Sequence, residues 1–250
     1  MGETVLESGK REPEAARRRI GSGRSAVRLG GTEAHPVTSD QKAPVRPQRR
    51  ASKRGNEVRT RILSAALDCF GAFGFEGTST RAVAERAEVT HTLVLYHFRS
   101  KEQLWIATVG ATLEAYTEAM KAHLSQCGSA AEGLRTFIEQ FIRMSAAHPQ
   151  MHRILTMESN QFTSRLDWVI ENFLREHFGM VRDLIRAGQD EGAVRQCDPA
   201  RLYYMLIGAG GTPFTVAMEY RALTGRDVFS ETEILRNIAF LFELVFVKAP

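Results

Sequence analysis

The chain has 250 residues, 43% of them hydrophobic and 25% charged, with a formal net charge of +4. That is the length of one or two domains with a sizeable core and the composition of an ordinary globule. No apolar run approaches a membrane span and the first residues lack an apolar signal core, so a cytoplasmic protein with no membrane partner is expected. Cys69, Cys127 and Cys197 are far apart, odd in number and without a CxxC pair, which argues against a disulfide framework or a zinc site.

The charge is unevenly placed. Residues 1–55 hold 13 Lys and Arg against 6 Asp and Glu, whereas the remainder holds 20 against 23. This first stretch is rich in Gly, Ser, Pro and Arg and poor in large apolar residues. It cannot bury enough surface to offset the entropy of ordering, so residues 1–55 are expected to form a disordered basic arm. The arm reads equally as a solvated linker or as a source of nonspecific phosphate attraction.

From Glu57 to Phe73, Ile62, Ala66, Leu67, Phe70 and Phe73 recur at three- and four-residue spacing, an amphipathic helix that Gly74 stops. Two short helices follow, over about 79–87 and 91–97, with Thr78 or Ser79 as the first cap and Thr90 as the second. Ser100, with Gln103 three residues on, forms a capping box and opens a long helix to about Leu124. Further helices are predicted near 130–147, 149–158 and 165–190. Asp198-Pro199 starts another, a cap followed by proline at the first helical position. That helix continues past Gly208 to Gly211 and Pro213, with a kink, and Gly225 ends it. A last apolar helix runs from about Ser230 to Val247. No stretch carries a strand pattern, so the fold class is all-α.

Two short helices joined by three or four residues have the geometry of a helix-turn-helix. Residues 61–70, 74–79 and 97–104 keep a fixed register with this pair and resemble the DNA-binding domain of the TetR family of bacterial transcriptional regulators. The similarity covers roughly 56–107. Two positions depart from the family pattern: Glu88 stands where the turn usually has glycine, and Leu95 where a tyrosine is frequent. The resemblance implies residues 56–117 as a three-helix DNA-binding head with the start of a linking helix, and 118–250 as a helical-bundle domain for ligand binding and dimerisation. It also implies a homodimer on a pseudo-palindromic double-stranded operator, released by a small-molecule inducer. Repression is the sign most relatives share, and activation stays open.

In the head, the helix capped by Thr90 presents His91, Thr92 and Leu93 from its first turn, where base edges are read. It holds no Arg, Asn or Gln, so readout rests on apolar contacts and DNA shape. Ser79 or Thr80, Thr90, Tyr96, His97 and Lys101 form the phosphate set, and Thr90, Tyr96, His97 and Lys101 coincide with the family's DNA-facing positions. Residues 56–103 hold six basic and six acidic side chains, a neutral head that the basic arm would supplement.

In the body, Met144, Met157, Phe162, Trp168, Phe173 and Tyr203 are adaptable or aromatic residues at core spacing, and the resemblance makes them candidates for the ligand cavity. Leu235, Ile238, Phe242, Val245 and Phe246 give the last helix more apolar surface than one buried side needs. With Gly208 and Gly211 on the preceding long helix, they are expected to build a four-helix dimer interface. There is no catalytic constellation, cofactor fingerprint or metal-ligand spacing; His148 and His152 are four apart, but Pro149 interrupts the helix between them. A ligand-binding protein with a degenerate head, or an all-helical enzyme, are the alternatives to a regulator.

Overall fold

A computed structural model describes residues 48–247, with side chains from Gly55 onward; the expectation for residues 1–47 lies outside the described residues. The chain there is helical throughout: α1 (Gln48–Gly77), α2 (Thr80–Arg86), α3 (His91–Phe98), α4 (Lys101–Leu124), α5 (Ala130–Ala147), α6 (Pro149–Glu158), α7 (Ser164–Val169), α8 (Arg175–Asp190), α9 (Pro199–Thr215), α10 (Ala217–Thr224) and α11 (Glu231–Val245). Helix α1 begins at Gln48, so the last eight residues of the expected disordered arm, 48–55, are helical. Extending a formed helix adds one hydrogen bond per residue fixed, and this stretch is rich in Arg, Ala and Lys, which favour it.

The caps act as the sequence indicates. Ser79, Thr90 and Ser100 accept the amide N–H of Ala82, Leu93 and Gln103 at 3.1, 3.3 and 3.1 Å, and Asp198 accepts that of Arg201 at 2.8 Å. The box at Ser100 is half made: the Ser100 N–H donates to the Phe98 carbonyl at 2.6 Å, leaving Gln103 no amide to take. Gly74 has φ +68°, ψ −177°, and bends α1 there. The buried Thr78 hydroxyl fixes the bend, its one proton shared between the carbonyls of Gly74 (2.8 Å) and Cys69 (3.0 Å).

Two differences from the expected helices stand out. The segment predicted as one helix over 165–190 contains a π-helical turn, Ile170–Leu174, between α7 and α8. Among the described residues the backbone also makes one isolated antiparallel bridge, Val194 with Phe246, where the sequence carries no strand pattern. Arg195 N–H donates to Val245 carbonyl and Val247 N–H to Ala193 carbonyl, pinning the loop after α8 to the end of α11.

There are two apolar cores. The first joins Ile62, Phe70, Val83, Val94, Phe98, Leu104 and Trp105 of α1–α4 to Met151 and Ile154 of α6 and Val169 of α7. The second gathers Met120, Phe137, Ile142, Ile185, Leu206, Phe214 and Leu241. Helix α4 serves both, giving Leu104 to Leu113 to the first and Met120 to the second. Helix α6 belongs to the first core and abuts α9 of the second. A Cβ on Gly71 of α1 would lie 2.5 Å from Cβ of Gln150, and one on Gly211 of α9 would lie 2.5 Å from Cε1 of His152. At these two glycines α6 approaches more closely than any side chain allows.

Candidate nucleic-acid interface and body cavity

The head is built from short, well-capped helices on an apolar base. Val83 and Ala84 of α2 and Val94 and Phe98 of α3 point inward, leaving the opposite faces in solvent. The turn between them passes through Glu88 at φ +53°, the left-handed conformation that glycine adopts freely and a β-carbon resists by roughly 1 kcal/mol. Thr92 is exposed and Tyr96 is 79% exposed, so both are presented outward on α3. His91 and Leu93 are half-buried. The Thr80 hydroxyl and His91 Nε2 are hydrogen-bonded at 2.9 Å, which ties the starts of α2 and α3 together. His97 lies edge-on to Tyr96, their ring centroids 5.4 Å apart.

Lys101 differs from a freely solvated phosphate ligand. Its Nζ donates to the Phe75 carbonyl at 3.0 Å, sits 4.3 Å from the Phe75 ring centroid and is 3.9 Å from the Glu76 carboxylate. The ammonium therefore fastens α4 to the bent end of α1. Asp68 is a second fastening. It accepts from Arg86 of α2 at 2.7 Å and from the Gln150 side-chain amide of α6 at 2.8 Å.

The body contains a cavity of about 620 Å³ between α4, α5, α6, the π turn, α8 and α9. Its wall is mainly apolar and aromatic: Leu113, Phe141, Met144, Met151, Leu155, Phe173, Phe178 and Ile207, with Tyr116, His152, His177 and Tyr203 as polar-tipped members. A second, more open cleft of about 760 Å³ lies between α1, α4 and α5, and Tyr116 and Met144 line both. Of the sequence candidates, Met144, Phe173 and Tyr203 line the body cavity. Met157 and Phe162 do not: Met157 lies beside Gly74, and Phe162 is fully exposed in the loop before α7. Trp168 packs behind the wall against Phe173 and Trp105.

Tyr116 and His177 were missed by sequence reasoning, although His177 carried a signal. It occupies a core-spaced position between Phe173 and Val181. Its ring lies among Tyr116, Phe137 and Tyr203, and Nδ1 is 3.2 Å from the Tyr203 hydroxyl. Burial pushes His177 down to about 4, lowers His152, and raises Tyr203 to about 12 and Tyr116 still further. These groups are therefore neutral at neutral pH. Because the folded value of His177 lies below its ordinary 6.5, its contribution to stability is complete above about pH 6.5 and is lost as pH falls toward 4. The loss is at most about 3 kcal/mol. Denaturant midpoints compared at about pH 7 and pH 4.5 should fall further in the parent protein than in His177→Phe.

The dimer candidates also divide. Ile238, Val245 and Phe246 are buried within the chain's own second core, and Phe246 stacks beneath the Arg135 guanidinium at 3.8 Å. They are not available to a partner, because α5 already covers that side of α11. Phe242 is half-buried beside the same arginine. Gly211 faces His152, while Gly208 has open space before it. The candidate Leu235 is exposed, and so are Phe240, Leu244 and Val247; Phe240 and Leu244, one turn apart, share a face of α11.

A helix-turn-helix with an exposed second helix, carried on a helical body with an apolar cavity open to the surface, defines a DNA-binding transcriptional regulator. Residues 62–108 match the family model of bacterial regulatory proteins of the tetR family, and 131–245 match that of the tetracyclin repressor-like C-terminal domain. The chain is 31% identical over 170 residues to the HTH-type transcriptional regulator RutR of Escherichia coli (strain K12), covering 68% of this chain and 80% of that protein. Its similarity to the HTH-type transcriptional repressor NicS of Pseudomonas putida (strain KT2440) is 24% over 160 residues, 63% of this chain and 76% of that one. Among solved structures, the ketosteroid transcriptional regulator KstR2 of Mycobacterium tuberculosis superposes with a TM-score of 0.64 at 18% identity, covering 76% of this chain and 95% of that one. The chain belongs to the TetR family of bacterial transcriptional regulators. AibR, solved in complex with isovaleryl coenzyme A and operator DNA, shares the fold with a TM-score of 0.63 at 16% identity over 76% of this chain and 98% of that one.

Proposed function

We propose that this regulator is a cytoplasmic repressor, without catalytic activity of its own, that binds a pseudo-palindromic operator as a homodimer and is released by a small molecule held in the body cavity. The observation that carries this reading is the shared use of α6: Met151, His152 and Leu155 line the cavity, while Met151 and Ile154 of the same helix pack in the head core. A ligand can shift the heads only through its different affinity for the two arrangements, and α6 touches both places where that difference is felt. No helix among the described residues is long and apolar enough to cross a membrane.

The exposure of Thr92 and Tyr96 supports reading and positioning by α3, with Ser79, Thr80, Thr90 and His97 around them and His91 held by Thr80. Anisotropy titrations against the chain's own upstream DNA and against random duplex check this. Thr92→Ala is expected to lose about tenfold in discrimination between the two duplexes. Tyr96→Ala should weaken both about equally, because a phosphate contact carries no sequence information. Unchanged discrimination in Thr92→Ala would remove α3 from base readout.

The dimer face proposed is the exposed pair Phe240 and Leu244, one turn apart on α11, beside the open flank of α9 at Gly208. Such a face buried against its symmetry mate makes a permanent apolar interface. In sedimentation at micromolar concentration, Phe240→Glu is expected to shift the protein from dimer to monomer and to abolish tight operator binding.

A further inference from the structure

We infer that the body cavity is built for an uncharged, largely apolar ring compound that presents one hydroxyl or carbonyl oxygen to Tyr116 and His177. This rests on the ligand-responsive reading above and deepens it. Two polar atoms of the lining side chains, the Tyr116 hydroxyl and His177 Nε2, are buried behind the cavity surface and meet no protein hydrogen-bond partner among the described residues. Both belong to side chains that line the cavity, and their rings are 5.9 Å apart between centroids. A buried polar group without a partner is costly, so a ligand oxygen toward which both rings turn relieves two penalties together.

The polarity of that oxygen is set by the wall. With Tyr203 hydroxyl against Nδ1, His177 is free to offer Nε2 as donor or as acceptor according to its tautomer, and the Tyr116 hydroxyl serves either way. Burial keeps both rings neutral. A hydroxyl or carbonyl suits neutral partners of this kind, whereas a carboxylate or ammonium would be desolvated with no counter-charge beside it. The one charged residue of the lining, Arg175, sits at the surface with its guanidinium already engaged by Glu171 one turn earlier. The rest of the ligand is specified by Phe141, Phe173, Phe178 and Tyr203, which favour offset or edge-on contact with another ring.

Calorimetric titration of the full chain at neutral pH with three probes on one frame tests this: 4-phenylphenol, biphenyl and biphenyl-4-carboxylate. The phenol is expected to bind about tenfold more tightly than biphenyl and about a hundredfold more tightly than the carboxylate. In Tyr116→Phe, a conservative change that keeps the ring, the advantage of the phenol over biphenyl should shrink to about threefold or less. A carboxylate that binds as tightly as the phenol, equal binding of phenol and biphenyl, or no binding of any probe at millimolar concentration would each overturn the assignment. Operator release by each probe, followed by anisotropy, keeps the two readings apart. Tight phenol binding without release leaves the ligand class standing and removes induction through this cavity. Release by the carboxylate at lower concentration than by the phenol does the reverse.

Discussion

Trp105→Ala is expected to destabilise the protein by about 3–5 kcal/mol, the range for removing a fully buried large aromatic side chain. Trp105 is 1% exposed at the first turns of α4, in the core that α1 and α6 also share. Its ring meets Trp168 edge-on, with centroids 6.3 Å apart, and the Arg165 guanidinium lies 5.9 Å from its centroid. Truncation opens a cavity that rigid helices on three sides cannot close, so the loss exceeds the transfer term alone. Urea unfolding followed by circular dichroism measures it. The midpoint should fall while the slope stays that of the parent, since the surface exposed on unfolding hardly changes. A loss below about 1 kcal/mol would mean that the head does not depend on this junction.

The second large effect is expected at Glu158. Its carboxylate and the Arg165 guanidinium are nearly buried, 6% and 10% exposed, with Nε and Oε1 3.2 Å apart, and the Thr163 hydroxyl also donates to Oε1. Arg165 stacks at 3.7 Å over Phe75, at the bent end of α1. Glu158→Ala leaves this guanidinium buried and unpaired, a change that costs about 3–5 kcal/mol. The double variant Glu158→Leu with Arg165→Met removes both charges at similar volume and should recover most of the loss. A double variant as unstable as the single one would show that the pair acts by holding the 159–163 loop rather than through charge. Trp105 and Arg165 touch, so the two effects should not add.

Much of the fold was legible because helix ends announce themselves in chemistry that a single sequence shows. Ser79, Thr90, Ser100 and Asp198-Pro199 start helices where expected, and Gly225, at φ +70°, ends α10. Glu88 was legible as a left-handed residue because the family's glycine marks that place. The π turn was not. Hydrophobic spacing reports which residues face inward, and Ile170, Phe173, Leu174, His177 and Phe178 fit a regular helix closely enough to conceal one extra residue in a turn. Met157, Phe162 and Trp168 illustrate the limit for the cavity: their residue types are right, but whether an aromatic lines a space or packs behind it depends on neighbours distant in sequence. Ile238, Val245 and Phe246 illustrate it for the surface. An apolar helix shows that it buries two sides without showing which side its own chain takes. Glu158 and Arg165 were silent because a charged pair across a short loop looks like two solvated residues.

The two glycine contacts along α6 restrict how that helix can travel. Gln150 and His152 are two positions apart, about 200° around a helix, so they project to nearly opposite sides. One abuts α1 at Gly71 and the other abuts α9 at Gly211. Sideways displacement is thus blocked in both directions, much as for an axle between two bearings. The remaining soft coordinates are roll about the helix axis and sliding along it. Roll drives Gln150 and His152 tangentially in opposite senses, so the helix that carries the DNA-binding end and the helix that packs on α11 are geared to each other through a single short rod.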